Sequence, residues 1–255
     1  MRLTNYYFRL SSPMNKPLRI HHSQFANIYF ASDFHYNHQR DFLWGPRGFK
    51  SYKEHDAFIE AQVDTLTEND LLIYLGDYSL NTTDEQTAAL LARTKAKIFY
   101  VFGNHEGYHS RFYRKSFDKF AAKIPCSSLF QIFPFSVDKT NGEGCAGFEN
   151  DPRTISYFGE EAYFSIGHTH YFCRHMAPLI WDKMKDKSFV AICGHSHGNL
   201  NVGKPDTLDG GKILDIGVDN ALKYNGTAFF TVQEVNTIMS QKQIKIFDHH
   251  GDDNV

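Results

Sequence analysis

The sequence has few cysteines, little net charge and no long apolar run. Its 255 residues include 4 cysteines, and no two of these form a Cys-x-x-Cys pair, so the usual pattern of a thiolate metal site is missing. The formal net charge of −2 leaves no global positive field to attract nucleic acid or anionic lipid. No stretch of about 18 consecutive apolar residues occurs, which excludes a transmembrane helix on length alone.

The first 24 residues also contain no apolar stretch of signal-peptide length. We therefore expect a cytoplasmic protein that does not bind membranes. Residues 1–24 are interpreted as an N-terminal extension, residues 25–247 as a single domain and residues 248–255 as a flexible tail. The sequence does not predict an oligomeric state.

Four short motifs occur in a fixed order, and each follows an apolar run. They are Asp33-Phe34-His35, Gly76-Asp77, Gly103-Asn104-His105-Glu106 and Gly194-His195-Ser196-His197. Any one of them would arise by chance in many proteins of this size, but the ordered set would not. Carboxylate, amide and imidazole groups suit divalent manganese, iron or zinc. The set indicates a phosphoester hydrolase in which a hydroxide bridging two metals attacks phosphorus.

The apolar runs before these motifs are short, continuous and rich in β-forming residues. They are Ile28–Ala31, Leu71–Leu75, Ile98–Phe102 and Phe189–Cys193. Stretches of helical period at about Lys53–Glu68 and Asp84–Lys95 separate the first three runs, which predicts a largely parallel α/β sheet. Ligands of such sheets gather beyond the carboxyl ends of the strands, where all four motifs lie.

The pattern changes after His105. A helix is predicted at about Ser110–Lys123, and four short apolar segments then predict the strands of a second sheet. These segments lie near Leu129–Phe133, Thr154–Phe158, Ala162–Ile166 and Tyr171–Arg174. The runs Lys212–Ile216 and Thr227–Val232 are expected to complete the sheets, and Val232–Gln241 is expected to form a closing helix.

A pair of metal ions requires one bridging carboxylate, and Asp77 is our candidate because it follows a buried strand and a glycine. The remaining ligands then divide into two sets. Asp33, His35 and His197 complete the first site, and Asn104 and His195 belong to the second. Asn104 supplies the neutral amide oxygen that hard cations often bind.

The ordered motifs resemble those of the calcineurin-like metallophosphoesterase family, and the resemblance covers nearly the whole chain. The segment Ser32–His38 is similar to small phage and bacterial members, and Leu214–Asp219 resembles a segment that follows their last histidines. The resemblance implies a four-layer αββα sandwich, with two mixed β-sheets flanked by helices. It also implies two divalent metal ions, for which manganese is favoured and iron, zinc or nickel are alternatives.

The resemblance requires one more histidine ligand between the third and fourth motifs, and His168, His170 and His175 are available. We favour His175, because His175–Trp181 resembles a His-Tyr-Pro segment with a following tryptophan in the small members. One extra residue separates this histidine from its proline. The alternative is His170, since Gly167-His168-Thr169-His170 itself copies a Gly-His-x-His motif.

The resemblance further implies that His105 protonates the leaving oxygen or steadies the phosphate, and that Glu106 orients His105. Two other residues are candidates for contact with the substrate phosphate. His38 lies three residues after His35, and Arg47 could make a bidentate contact from Gly45-Pro46-Arg47-Gly48. Each also has an ordinary interpretation as a loop residue.

The function favoured by these residues is a phosphodiesterase or phosphatase that acts on a small nucleotide-like phosphoester. The first alternative is a nuclease for single-stranded nucleic acid, since basic and aromatic residues alternate in the predicted helix after Glu106. Nucleic acid is therefore a possible partner that we do not favour. The second alternative is a metal-binding scaffold without catalysis, which would be expected to lack ligands.

Overall fold

The computed structural model describes residues 18–82, 86, 91, 93–105, 130–132, 155–157, 161–201 and 211–244. Four features expected from the sequence lie outside these residues. They are residues 1–17 of the N-terminal extension, Glu106, the helix predicted after it and the tail at residues 248–255.

The described residues form two β-sheets, and the larger has six strands among them. In chain order these are β2 (Asn27–Ala31), β3 (Asp70–Tyr74), β4 (Lys97–Tyr100), β5 (Phe130–Ile132), β6 (Ile155–Tyr157) and β11 (Phe230–Thr231). Their order across the sheet is β11-β2-β3-β4-β6-β5. Every neighbouring pair is parallel except β11 and β2, which are antiparallel. The carboxyl ends of the central strands therefore meet at one edge.

The second sheet has five strands in the described part of the chain. They are β1 (Leu18–Ile20), β7 (Glu161–Ile166), β8 (Thr169–Arg174), β9 (Phe189–Cys193) and β10 (Ile213–Asp215), in the order β1-β7-β8-β9-β10. The hairpin of β7 and β8 is antiparallel, and the other pairs are parallel. Strand β1 comes from the end of the predicted N-terminal extension.

Four complete helices accompany the sheets within the described residues. They are α1 (Asp41–Trp44), α2 (Tyr52–Asp64), α3 (Val218–Asn225) and α4 (Val232–Gln241). Ser51 starts α2 by accepting a hydrogen bond from the backbone N–H of Glu54, and Thr231 and Glu234 form a capping box that starts α4. In the described ranges, no helix combines the length and the apolar character needed to cross a membrane.

The core is divided by the larger sheet because side chains alternate along each strand. Leu71 and Ile73 of β3 belong to the cluster shared with the second sheet, and Leu72 and Tyr74 belong to the cluster packed under α2. The rings of Phe99 and Phe164 stack at 5.6 Å and join the two sheets.

The predicted architecture of two mixed sheets flanked by helices is confirmed, but the assignment of strands to sheets was partly wrong. Strands β5 and β6, expected in the second sheet, extend the larger one, and β9 lies in the second. Apolar periodicity identifies a strand but not the neighbour with which it pairs, since that neighbour is distant in sequence.

Candidate metal centre

The motif residues come together because each follows a strand at the same edge of the two sheets. Asp33 lies just after β2, Asp77 just after β3 and Asn104 just after β4. His175 and His195 follow β8 and β9 of the second sheet in the same way. The facing carboxyl ends of parallel strands therefore bring five segments of sequence into one cleft.

The loops that carry these side chains adopt a left-handed backbone that residues other than glycine rarely adopt. The φ angles are 61° at Asp33, 47° at His35, 58° at Asp77, 67° at His195 and 48° at His197. Backbone hydrogen bonds hold the loops in this shape: Asp33 N–H donates to Gly76 O at 3.0 Å, and His35 N–H donates to Asp77 O at 3.0 Å. Such strain of about 1–3 kcal/mol per residue is typical of functional sites.

Two glycines of the motifs allow the loops to approach this closely. Gly76 has a φ of +89°, and a Cβ atom there would collide with the backbone of Gly103. A Cβ atom on Gly194 would collide with the Ser32 hydroxyl and the Asp33 carboxylate. Glycine is therefore required at both positions by the contact between loops.

His35 occupies the centre of the cleft with both ring nitrogens buried and without a hydrogen-bond partner in the described structure. Its Nε2 lies 3.7 Å from Asp33 Oδ1 and 3.6 Å from Asp77 Oδ2. Asp33 Oδ1 is buried and unpartnered in the same way. Leaving each such atom unsatisfied costs about 1–3 kcal/mol, so this geometry fits a cation that binds Asp33 Oδ1 and the one His35 nitrogen that carries a lone pair.

The ligand atoms lie close enough together to be candidates for sharing an ion. Metal bonds of about 2.1 Å place two ligands of one ion about 3.0 to 3.5 Å apart. Three sets have ligand atoms within 4.8 Å of one another: Asp33 with His35 and His197, His35 with Asp77 and His105, and Asp77 with His175 and His195.

The carboxylates of Asp33 and Asp77 each accept a backbone hydrogen bond on one oxygen, and the other oxygen faces the cleft. The backbone N–H of His195 donates to Asp33 Oδ2 at 2.9 Å, and the backbone N–H of His105 donates to Asp77 Oδ1 at 2.8 Å. These bonds orient Asp33 Oδ1 and Asp77 Oδ2 toward the histidines. Asp77 Oδ2 then lies between His35 and His175, at 3.6 and 3.2 Å from their Nε2 atoms.

His175 has its two nitrogens in different surroundings. Nδ1 lies 2.6 Å from the carbonyl oxygen of Leu75, which only accepts, so Nδ1 carries the proton. Nε2 lies 3.1 Å from Asn104 Oδ1, another acceptor, and this contact needs a proton or a cation between the atoms. Burial lowers the pKa of His175, but the hydrogen bond to Asp77 and the nearby carboxylates outweigh it and raise the pKa to about 9.

The other two candidates for the additional histidine lie elsewhere. His170 is at the opposite end of β8, about 16 Å from His175 if the strand rises about 3.3 Å per residue. Its Nδ1 is 2.6 Å from Ser165 Oγ, and its ring stacks on Phe189 at 4.3 Å. His168 is in the turn that joins β7 and β8.

His105 and His38 border the cleft. His105 has an exposed side chain, and its Nε2 lies 3.8 Å from Asp77 Oδ2. His38 is buried, with its ring 5.6 Å from that of His35. The backbone N–H of Arg40 donates to His38 Nδ1 at 3.3 Å, which leaves Nε2 as the protonated nitrogen of the neutral ring.

Arg47 is placed differently from the exposed loop position that its sequence suggested. Its side chain is 0% exposed and donates to Asp219, to the carbonyl oxygens of Asp33 and Phe34 and to His55. This burial argues against the direct phosphate contact considered above.

Sequence reasoning did not single out Asp215 and Asp219 as parts of the site. Asp219 Oδ2 lies 3.0 Å from His197 Nδ1, and Asp215 accepts the backbone N–H groups of Gly198 and Gly217 at 2.9 Å each. Burial is the main reason why the pKa of Asp215 rises to about 6. Burial acts in the same direction on Asp219, but the bonds from His197 and Arg47 outweigh it and lower the pKa. The available signal was the resemblance of Leu214–Asp219 to a family segment.

Comparisons with known proteins agree with this geometry. The model of the calcineurin-like phosphoesterase family matches residues 26–224. The crystal structure of AQ665, a protein of unknown function from Aquifex aeolicus, is similar with a TM-score of 0.51 and 14% identity, over 83% of this chain and 98% of that one. This likeness shows a shared fold. No protein with a curated description matches the sequence significantly.

Proposed function

Because the chain belongs to the calcineurin-like phosphoesterase family, we propose that it uses two divalent metal ions to hydrolyse a small nucleotide-like phosphodiester or phosphomonoester. The family and the metal-type clusters support a metal-dependent phosphoesterase in general. The number of ions and the substrate class are our extension of that statement.

The buried surroundings of His35 carry the proposal. Two ring nitrogens and Asp33 Oδ1 are buried without partners, and the Asp77 carboxylate lies 3.6 Å away. A site that served only the stability of the fold would satisfy these atoms with hydrogen bonds, as buried polar groups normally are. Their convergence supports a resident cation.

The ligands divide between the two ions around Asp77. We assign Asp33, His35 and His197 to the first ion and Asn104, His175 and His195 to the second, with Asp77 shared. When bound, divalent cations lower the pKa of water and offset the charge of a phosphate.

Two histidines of the chain are then proposed to contact the substrate phosphate and to protonate the leaving group. The exposed imidazole of His105 is beside Asp77 at the open side of the cleft, where it is placed to protonate a departing alkoxide. The Nε2–H of His38 faces away from Arg40 and offers a neutral donor for a phosphate oxygen. Both histidines border the ring of His35, at 5.1 and 5.6 Å.

A metal and substrate screen tests the proposal. The full chain is treated with a chelator, dialysed, and reloaded separately with Mn²⁺, Fe²⁺, Zn²⁺ or Ni²⁺. Each form is assayed on phosphomonoesters, linear diesters, cyclic nucleotides and single-stranded DNA. We expect metal-dependent turnover of a small ester, with Asp77→Asn inactive under every condition.

Three results would contradict parts of this assignment. Salt-sensitive cleavage of DNA without turnover of small esters would replace it by the nuclease alternative. Turnover that persists after treatment with the chelator would show that the reaction does not need a metal ion. Metal binding without turnover of any ester would favour the scaffold.

A further inference from the structure

Arg47 is bound to Asp219 through two parallel contacts in the protein interior. Its Nε donates to Asp219 Oδ1 at 3.1 Å, and its Nη2 donates to Asp219 Oδ2 at 2.8 Å. The side chains are 0% and 8% exposed. The two residues are 172 positions apart, so the contact joins the loop before α2 to the start of α3.

Asp219 in turn controls the orientation of His197. Its Oδ2 lies 3.0 Å from His197 Nδ1, and Arg47 Nη2 lies 3.3 Å from the same nitrogen. The shorter contact is to a carboxylate, which only accepts, so we assign the proton to Nδ1. Nε2 of His197 is then free to bind a metal. A carboxylate that holds a histidine ligand in this way fixes both the tautomer and the direction of the ring.

Arg47 also holds the other loop that contributes to the first metal set. Its Nη2 donates to the carbonyl oxygen of Asp33 at 2.8 Å, and its Nη1 contacts that of Phe34 at 3.4 Å. One guanidinium therefore fixes the backbone that carries Asp33 and His35 and, through Asp219, the ring of His197.

The remaining donor of Arg47 is satisfied by α2. Its Nη1 lies 2.8 Å from His55 Nε2, and because a guanidinium only donates, this nitrogen is the acceptor. His55 Nδ1 then donates to Asp56 Oδ1 at 3.3 Å. Asp56 accepts the backbone N–H of Asn37 at 3.1 Å, so the network returns to the loop after His35.

Stability alone does not explain this arrangement. A buried ion pair is weak evidence for stabilisation, since apolar residues of similar volume often serve as well. The network also reaches only the first of the two sets of metal ligands. Within the described parts of the chain, no hydrogen bond joins Arg47 or Asp219 to His175, His195 or Asn104.

We propose that Arg47 and Asp219 are positioning residues that selectively set the affinity of the first metal site, formed by Asp33, His35 and His197. This rests on the proposed two-metal function. Loss of either residue should leave Asp77, His175 and His195 able to hold the second ion. Removal of such a partner of a ligand typically weakens metal binding about 10- to 100-fold.

The test titrates the chelator-treated full chain with Mn²⁺ by calorimetry, with EPR as a second readout. The variants are Arg47→Lys, which keeps the charge but loses the fork, and the isosteric Asp219→Asn. Arg93→Lys is the matched control, because Arg93 binds Asp64 through two contacts of 2.6 and 2.5 Å with a side chain 40% exposed.

We expect two Mn²⁺ ions in the wild type and in Arg93→Lys. In the two test variants, one dissociation constant should rise about 10- to 100-fold while the other is unchanged. The EPR spectrum at two Mn²⁺ per chain should change from that of a coupled pair to that of isolated ions. Equal weakening of both sites, or of neither, would overturn the proposal.

A double variant, Arg47→Met with Asp219→Leu, separates positioning from a structural role. Because this variant removes both buried charges together, we expect it to fold even if one of the single variants does not. Urea denaturation measures whether it folds. The proposal expects this protein to bind one Mn²⁺ tightly, and full recovery of both sites would contradict it. A wild type that binds no Mn²⁺ overturns the proposed function as well, whereas two bound ions without turnover refute only the function.

Discussion

Replacing His105 with alanine should impair proton transfer to the leaving group while leaving the metal site intact. The side chain is 37% exposed, so its removal disturbs little packing. The backbone N–H of His105 donates to Asp77 Oδ1 at 2.8 Å, and an alanine at this position keeps the bond. We therefore expect unchanged Mn²⁺ affinity and an almost unchanged free energy of unfolding.

The size of the loss should depend on the leaving group. A positioned general acid contributes about 10²- to 10⁴-fold, or about 3 to 5 kcal/mol of barrier, when the departing oxygen needs a proton. Alkyl esters need that proton and nitrophenyl esters do not. His105→Ala should thus lower kcat/KM steeply for alkyl esters and only slightly for nitrophenyl esters.

The assay compares kcat/KM for both ester types at saturating Mn²⁺ in the wild type, in His105→Ala and in His170→Ala. His170 is the control because it lies at the opposite end of β8, stacked on Phe189. Equal losses on both esters in His105→Ala would refute the general-acid role. A large fall in Mn²⁺ affinity would instead show that His105 is a ligand.

Three further outcomes follow from the geometry. Asp77→Asn should lower the Mn²⁺ content to below one ion per chain, because Asp77 Oδ2 lies between His35 and His175, and retention of both ions would contradict a shared ligand. Gly76→Ala should lower the free energy of unfolding by about 2 to 5 kcal/mol in urea, since strain at a φ of +89° adds to a backbone collision. Gly226→Ala, at a φ of +75° with open space around it, should cost only the strain of about 1 to 2 kcal/mol, and equal losses at the two glycines would refute the collision. The pKa of Asp215 is raised to about 6 by burial, so its contribution to stability is complete below about pH 4 and is lost as the pH rises through 6. In chelator-treated protein, the unfolding free energy of the wild type relative to Asp215→Asn should therefore fall by about 3 kcal/mol between pH 4 and 7, and a pH-independent difference would contradict this.

Local elements were predictable because their signals are short in range. The closing helix was expected at Val232–Gln241, where α4 lies, and the run Phe189–Cys193 coincides with β9. The capping box of Thr231 and Glu234 marks the start of α4, and five consecutive buried apolar residues form β9. Such features depend on neighbours within a few residues.

The surroundings of Arg47 were not predictable for the opposite reason. Gly45-Pro46-Arg47-Gly48 is typical of an exposed turn, and nothing within it indicates burial. The guanidinium is buried because Asp219, 172 positions away, meets it with a carboxylate. Asp215 was missed for a similar reason. Its carboxylate oxygens accept hydrogen bonds from backbone N–H groups, and such bonds leave no pattern in the sequence.

The sequence by itself determined the donor types, their order and their position after strands, because ligand chemistry and apolar periodicity are properties of local residue identity. The tertiary structure decided which of two histidines lies beside Asp77. His170 lies within β8 and His175 directly after it, and only the pairing of β8 within the second sheet places the end with His175 against Leu75 and Asn104. Long-range strand pairing also decided which atoms of the described structure stay unpartnered at His35, and those atoms are the strongest indication of a metal site.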